Sequence, residues 1–194
     1  MAFGAPARLV EGAHRAALEE VRHAQLTFAL ASAYAETPLA PGALVELRAA
    51  PATTATSLIE LAQESLLDGC LNEGTAAAVM AHAAQRARDP VVREALAVIA
   101  RDEASHTELS WEVVGWCCAR IGASLSRDLR VLLARAPLPA APIEISPRLE
   151  AEMADHGWLG SEAWQHHAER IRRAADGRLA LLTAAANTVF AEAS

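Results

Sequence analysis

Two Glu-x-x-His pairs are the residues of this sequence with the clearest potential for chemistry: Glu20 with His23, and Glu103 with His106. Side chains three residues apart project from one face of a helix about one turn apart, so a carboxylate and an imidazole so spaced can bind one metal ion together. The match extends beyond the pairs, because a Leu and an aromatic residue follow each at the same spacing: Leu26 and Phe28 after the first, Leu109 and Trp111 after the second.

A third pair, Glu11 with His14, shows why spacing alone is weak support for a metal site. Random placement of 18 Glu and 7 His over 194 positions gives roughly 0.7 such pairs. Glu11 also lies nine residues before Glu20, which puts it on the opposite face of a regular helix. We therefore expect this pair on the surface.

Glu73 is the carboxylate that adds weight to the two pairs. It stands in the middle of a predicted helix among small residues, far from either end, so it has no capping role. A carboxylate in such an apolar stripe is costly to bury unless a cation or a metal ion accompanies it. Glu73 is therefore the third predicted contributor to a metal site.

The elements that must position these residues are predicted to be helices, because Ala, Leu, Arg and Glu dominate and aromatic residues are only 4%. Ser57 with Glu60 forms a capping-box pattern, and Asp89-Pro90 caps and opens another helix. A further short helix is expected to be capped at Ser124 or Ser126. A proline-rich strap precedes the last two helices. The predicted helices span residues 7–35, 57–88, 90–121, 125–134, 147–155 and 161–190.

Composition excludes several classes of protein. The formal net charge is −7 and the basic residues form no block, which argues against nucleic acid as a partner. No apolar run is long enough for a membrane span and no signal peptide is visible, so we expect a cytoplasmic protein with no membrane partner. The three cysteines, Cys70, Cys117 and Cys118, show neither a disulfide framework nor zinc-site spacing and are expected to be reduced and buried.

Three segments together resemble bacterial ferritin-like domain proteins of the di-iron carboxylate superfamily. The resemblance covers roughly residues 5–121, and it implies a ferritin-like helical bundle with two iron ions, or iron and manganese, bound by Glu20, His23, Glu73, Glu103 and His106. In this pattern the residue before a ligand Glu, here Asp102, bonds across the bundle to a ligand histidine. The segments are Glu19–His23 (EEVRH), Gly69–Glu73 (GCLNE) and Asp102–Trp111 (DEASHTELSW).

The resemblance also implies a sixth ligand from a helix that would precede Glu20. The residues from Met1 to Pro6 resemble the loop after that helix, so the family's first helix is expected to be missing from this sequence. Either the chain is a truncated or alternatively started form, or the place of the helix is taken by the C-terminal helix, through Glu162 or Glu169, or by a second chain in a homodimer. The corresponding division is residues 1–135 as core, 136–160 as strap and short helix, and 161–194 as a helix packing on or completing the bundle.

Two functions follow from this sequence. The first is O2-dependent oxidation of a small molecule or of iron at a non-haem di-iron centre, because carboxylate and imidazole ligands without thiolate suit Fe(II) and Mn(II). The alternative is a ferritin-like helical protein whose site is incomplete or empty and which acts as a binding module. The substrate cannot be inferred, since fold and ligand set do not select a reaction.

Overall fold

The computed structural model describes residues 3–42 and 57–192, with side chains up to residue 184. Every regular element in these ranges is helical, which confirms the predicted all-α class. The elements are α1 (Ala7–Ala35), α2 (Leu58–Glu64), a π-helical segment (Ser65–Glu73), α3 (Gly74–Arg86), α4 (Pro90–Ile121), α5 (Ala123–Arg135), α6 (Pro147–Met153), a 3-10 turn (Ala154–His156) and α7 (Ser161–Glu192).

The predicted caps of the two central helices are present. Ser57 Oγ accepts a hydrogen bond of 3.2 Å from the Glu60 amide, which opens α2. The Asp89 carboxylate accepts hydrogen bonds from the amides of Val91 and Val92. Pro90 occupies the first position of α4. These side chains satisfy backbone donors that a helix start leaves free, so the local sequence fixes both starting points.

The second predicted helix is interrupted in a way that the sequence pattern does not indicate. α2, the π segment and α3 form one continuous rod, since Ser65 and Gly74 at the two junctions both keep right-handed helical angles, φ −60° and ψ −36°. Within Ser65–Glu73 the hydrogen bonds span five residues instead of four, which changes the direction of each side chain relative to a regular α-helix.

The predicted cap of α5 is wrong. The helix begins directly after Gly122, whose φ of 108° reverses the chain, and not at Ser124 or Ser126. Ser126 is fully buried, and its hydroxyl donates to the Ala123 carbonyl and pairs with Thr183 of α7 at 2.8 Å. The serine therefore joins α5 to α7 instead of capping.

α1 and the α2–α3 rod both run antiparallel to α4, and hence parallel to each other. Residues 43–56, between α1 and α2, lie outside the described ranges. The contacts that establish these directions pair Gly12 with Leu109, His23 with Asp102, Gly69 with Ser110 and Gly74 with Thr107.

α7 packs on α3 through Ile171, whose Cγ2 would lie 3.2 Å from a Cβ at Gly74, and Thr107 of α4 would lie 3.4 Å from the same Cβ. Gly74 and Thr107 directly follow Glu73 and His106 in sequence, so their positions are turned by about 100° from those of Glu73 and His106 around their helices. α7 and α5 are held together by the core and by the two-point ion pair of Arg130 with Asp176.

The buried apolar side chains form two clusters. The larger cluster joins the π segment, the C-terminal half of α4, α5 and α7, with Leu66, Val114, Leu129 and Leu179 fully buried. The smaller lies around Val79, Ala83 and Leu159 at the other end of α3. No helix of the described chain is long and apolar enough to cross a bilayer.

Candidate metal centre

The antiparallel packing of α1 on α4 brings the two Glu-x-x-His pairs face to face. The His23 and His106 rings lie with their centroids 6.0 Å apart, and the two residues are only 6% and 4% exposed. Close approach of the helices depends on Gly12, where an added Cβ would lie 2.7 Å from Leu109 Cδ1. The repeat seen in the sequence therefore becomes a pair of facing half-sites.

Glu20 and Glu103 place their carboxylates between the two imidazoles. Glu20 Oε1 lies 3.3 Å from His23 Nδ1 and 3.4 Å from His106 Nδ1, so one oxygen faces both rings. Glu103 Oε1 lies 3.5 Å from His23 Nδ1. Potential ligand atoms of Glu20, Glu103 and His106 all lie within 4.8 Å of one another, a spacing that a single metal ion can span.

The Nε2 atom of each histidine contacts an acidic residue of the other helix. His23 Nε2 lies 3.1 Å from Asp102 Oδ2, and His106 Nε2 lies 2.8 Å from Glu19 Oε2. A carboxylate can only accept hydrogen bonds, so each Nε2 carries a proton and donates it. The Nδ1 atoms are thereby left facing the carboxylates of Glu20 and Glu103.

Sequence reasoning gave Asp102 this supporting position and missed Glu19. The signal was present, because Glu19 precedes Glu20 as Asp102 precedes Glu103. An acidic residue directly before each ligand Glu points about 100° away from it, toward the neighbouring helix. The repeat therefore includes the supporting acids as well as the Glu-x-x-His pairs.

Glu73 is the last residue of the π segment and belongs to the same electrostatic cluster. Burial raises the pKa of Glu73. The electrostatic interaction with His106 lowers this pKa, and the nearby Asp68 and Glu20 carboxylates raise it. Burial, followed by the Glu20 and Glu73 carboxylates, raises the pKa of Glu103 to about 7. Several carboxylates are thus crowded at one partly buried place, although Glu73 is outside the 4.8 Å group.

A close contact between the π segment and α4 positions Glu73. A Cβ added at Gly69 would overlap the Ser110 hydroxyl and would lie 3.5 Å from Glu73 Oε2. Only glycine lets the rod approach α4 this closely. A π segment at such a place is typical of functional sites in helical proteins.

The side of the site away from α4 is open. The Glu20 side chain is 55% exposed, and its neighbours Leu18 and Val21 are 73% and 57% exposed. Neither carboxylate that was considered for the sixth position reaches the site: Glu162 and Glu169 are both exposed, and Glu169 pairs with Arg173 on α7 itself. Because Glu20, Leu18 and Val21 are exposed with α7 in place, α7 does not cover this opening.

The remaining pair, Glu11 with His14, is exposed on α1 as predicted. The arrangement as a whole can therefore hold a divalent cation between two buried imidazoles and two or three carboxylates, with one side accessible from solvent.

Comparison with known proteins gives no relative: the chain matches no protein family, no curated protein and no solved structure. The function has to be inferred from the residues of the chain itself.

Proposed function

We propose that this chain is a ferritin-like helical protein that binds two divalent metal ions, iron or iron with manganese, and uses them with O2 to oxidise a small molecule or iron. The observation that carries the proposal is the Nδ1 atom of His23. This atom is buried, and it has no hydrogen-bond partner within the described chain.

The surroundings of His23 Nδ1 favour a metal ion over any other occupant. With the Nε2 proton donated to Asp102, the neutral ring presents a lone pair at Nδ1. Two carboxylate oxygens, from Glu20 and Glu103, lie 3.3 and 3.5 Å from it. Three acceptors that converge without a donor repel one another unless a cation or a proton lies between them, and a metal ion would satisfy all three at once.

In the proposed site, two ions would be held by different numbers of protein ligands. One ion would be held by His106, Glu20, Glu73 and Glu103. The other would be held by His23 together with Glu20 and Glu103, so these two carboxylates would contribute to both positions. The second position has fewer protein ligands and lies beside the open face at Glu20. Ligands from solvent or from a substrate would complete it.

The ligand type selects the metal and the class of reaction. Carboxylate and imidazole oxygen and nitrogen donors suit Fe(II) and Mn(II), and all three cysteines are buried as free thiols away from the described cluster. Such ions, when bound, supply one-electron redox chemistry and reactivity toward O2. Asp102 and Glu19 fix the orientation of the two imidazoles, with Nδ1 toward the carboxylate cluster.

The topology supports the ferritin-like assignment. Ferritin-like di-metal proteins take Glu-x-x-His from two helices and a Glu from each of the others, all projecting inward. Here the Glu-x-x-His pairs are on antiparallel helices, and the rod that carries Glu73 is parallel to α1. One further inward-facing helix on the open side of α1 would complete that arrangement.

A second candidate function is favoured by the exposed apolar residues beside the open face. Leu18 and Val21 flank Glu20 on α1 and are mostly exposed. Exposed apolar residues grouped in this way are typical of interaction surfaces. In this alternative both histidines carry two protons and form ion pairs with the carboxylates, and the chain acts as a binding module.

Metal content separates the two functions. Protein loaded anaerobically with Fe(II), or with Fe(II) and Mn(II), should retain about two ions per chain after desalting, and the loaded protein should consume O2. The double variant His23→Ala/His106→Ala should lose the metal while keeping its helical circular dichroism. His14→Ala, a histidine in an exposed Glu-x-x-His pair, is the matched control. Absence of bound metal in the unmodified protein contradicts the proposal and favours the binding module.

A further inference from the structure

An apolar cavity of about 730 Å³ lies at one end of the bundle, between the C-terminal half of α1, α3, the N-terminal half of α4, α6 and the start of α7. Its size is within the range of small-molecule sites, roughly 300–1,000 Å³. The residues that line it come from five helices, the 3-10 turn and the segments next to it, so the cavity is a product of tertiary packing. Leu30, Val79, Met80, Leu96, Leu159 and Trp164 form its apolar wall.

The cavity is displaced from the candidate metal centre in the direction of the bundle axis. Leu30 is seven residues after His23, Met80 is seven after Glu73, and Leu96 is seven before Glu103. Seven residues are two helical turns, about 10 Å. Because α4 is antiparallel to the other two helices, all three displacements point toward the same end.

A tight turn brings Trp158 against α3. Gly157 has φ +84°, and a Cβ there would lie 2.9 Å from the Ala83 carbonyl oxygen, so the position requires glycine. The Arg88 amide donates to the Asp155 carbonyl at 2.7 Å and ties the turn to the end of α3. The turn therefore closes one wall of the cavity with an aromatic side chain.

Trp158 and Trp164, two residues of the lining, carry hydrogen-bond donors that the described residues leave unsatisfied. The indole N–H groups of Trp158 and Trp164 are buried, and neither has an acceptor among the described residues. A buried donor without a partner is unfavourable, and an acceptor brought by a ligand would satisfy it. Apolar walls with a few unpaired donors are typical of a site for a molecule with an apolar body and a hydrogen-bond acceptor.

The charges around the cavity indicate an uncharged ligand. No arginine is among the described residues that line it, and the chain contains no lysine. Glu152 is the acidic side chain of the lining, and Arg148 pairs with it at 2.9 Å, so no unpaired cation is left there to bind an anion. The exposed Tyr34 hydroxyl pairs with His156 Nδ1 at 2.7 Å, so these two groups already satisfy each other at the edge of the cavity.

We propose that this cavity binds an uncharged, largely apolar molecule that carries a hydrogen-bond acceptor, such as a ketone or an ester, with the acceptor on the indole N–H groups of Trp158 and Trp164. Binding is independent of metal. The role of the molecule as the substrate oxidised at the metal centre rests on the proposed function.

Titration of the metal-free, full-length protein with 2-decanone, followed by 1H–15N correlation spectra, tests the binding. The chain has four tryptophans, so the indole region holds four peaks, assigned by single Trp→Phe variants. Saturable movement of the Trp158 and Trp164 peaks, with Trp111 and Trp116 unmoved, is expected. Decane, which has no acceptor, and decanoate, which is anionic, should each bind about fivefold or more weakly. Equal affinity for decanoate, or no saturable shift, overturns the proposal.

Variants give a second, independent test. Trp158→Phe and Trp164→Phe each remove one N–H and keep an aromatic ring, and each should weaken 2-decanone binding about two- to tenfold. Trp116→Phe is the matched control, since Trp116 packs against the core cluster and Arg120 away from the cavity. Unchanged affinity in both cavity variants contradicts the assigned contacts.

The cavity and the metal centre can fail separately. In the variant His23→Ala/His106→Ala, 2-decanone should bind with unchanged affinity although metal is lost. If the metal-loaded protein consumes O2 but 2-decanone does not bind, the cavity proposal is overturned and the proposed function stands. If 2-decanone binds and no metal does, the proposed function is overturned and the binding site stands.

Discussion

His23 on α1 donates its Nε2 proton to Asp102 on α4 across 3.1 Å, and the reverse relationship exists one turn away, where His106 of α4 donates to Glu19 of α1 at 2.8 Å. Each helix thus supplies both a histidine and the acid that orients the histidine of the other. This crossed arrangement fixes which ring nitrogen faces the carboxylate cluster, and the metal hypothesis depends on it.

Loss of the supporting acids should weaken metal binding without removing a ligand. Asp102→Asn and Glu19→Gln keep the size of each side chain but weaken its hold on the imidazole, and each should reduce Fe(II) affinity about 10- to 100-fold. Competition with a chromophoric chelator measures the affinity. Glu11→Gln, an exposed carboxylate on α1, is the control. Wild-type affinity in both variants would show that the histidines are not ligands.

Gly69→Ala should destabilise the protein by about 1–3 kcal/mol, because the added methyl group overlaps the Ser110 hydroxyl where the π segment meets α4. Urea unfolding followed by circular dichroism measures the change. Ser110→Gly removes the overlapping group, so the double variant should recover part of the loss. The control is Gly115→Ala, where a Cβ has no neighbour within 4 Å and helix propensity favours Ala by about 1 kcal/mol. Equal losses at both glycines would contradict the contact.

The cysteines should be unreactive in the folded protein. Burial raises the pKa of Cys117 and of Cys118 to about 11, and it raises the pKa of Cys70 further. At pH 8 a thiol of pKa about 11 is ionised to about one part in a thousand. Ellman's reagent should therefore titrate three thiols in denaturant and show no fast phase without it. A fast native phase would indicate that the core around the π segment opens readily.

The ion pair of Glu108 with Arg178 should contribute a small, pH-dependent stability. Arg178 binds both carboxylate oxygens at 2.8 and 2.9 Å, and its hydrogen bonds hold the pKa of Glu108 below the ordinary value of 4.5. A carboxylate with a depressed pKa stabilises the fold above its ordinary pKa, and that contribution is lost as the pH falls through the lowered value.

Glu108→Gln should accordingly cost less than about 1 kcal/mol at pH 7, since the side chain is 64% exposed, and the difference from the unmodified protein should vanish in acid. Urea unfolding at several pH values measures it. In an Arg178→Gln background the effect of Glu108→Gln should disappear; if it persists, the stabilisation comes from another contact.

The local sequence determined most of the helices. Ser57 and Asp89-Pro90 cap helix starts through contacts with residues two or three positions away, so their effect needs no tertiary structure. The spacing of Glu20 with His23, and of Glu103 with His106, likewise fixed which side chains share a face. The all-helical class followed from composition for the same local reason.

Only the tertiary structure decided how the half-sites meet and what surrounds them. The π segment meets α4 at the close contact of Gly69 with Ser110, residues far apart in sequence, and no pattern in the local sequence predicts it. The support of His106 by Glu19 requires the antiparallel register of α1 and α4. The open side at Glu20 and the cavity beside Trp158 and Trp164 arise from the packing of several helices, which is set by nonlocal burial and not by any single helix.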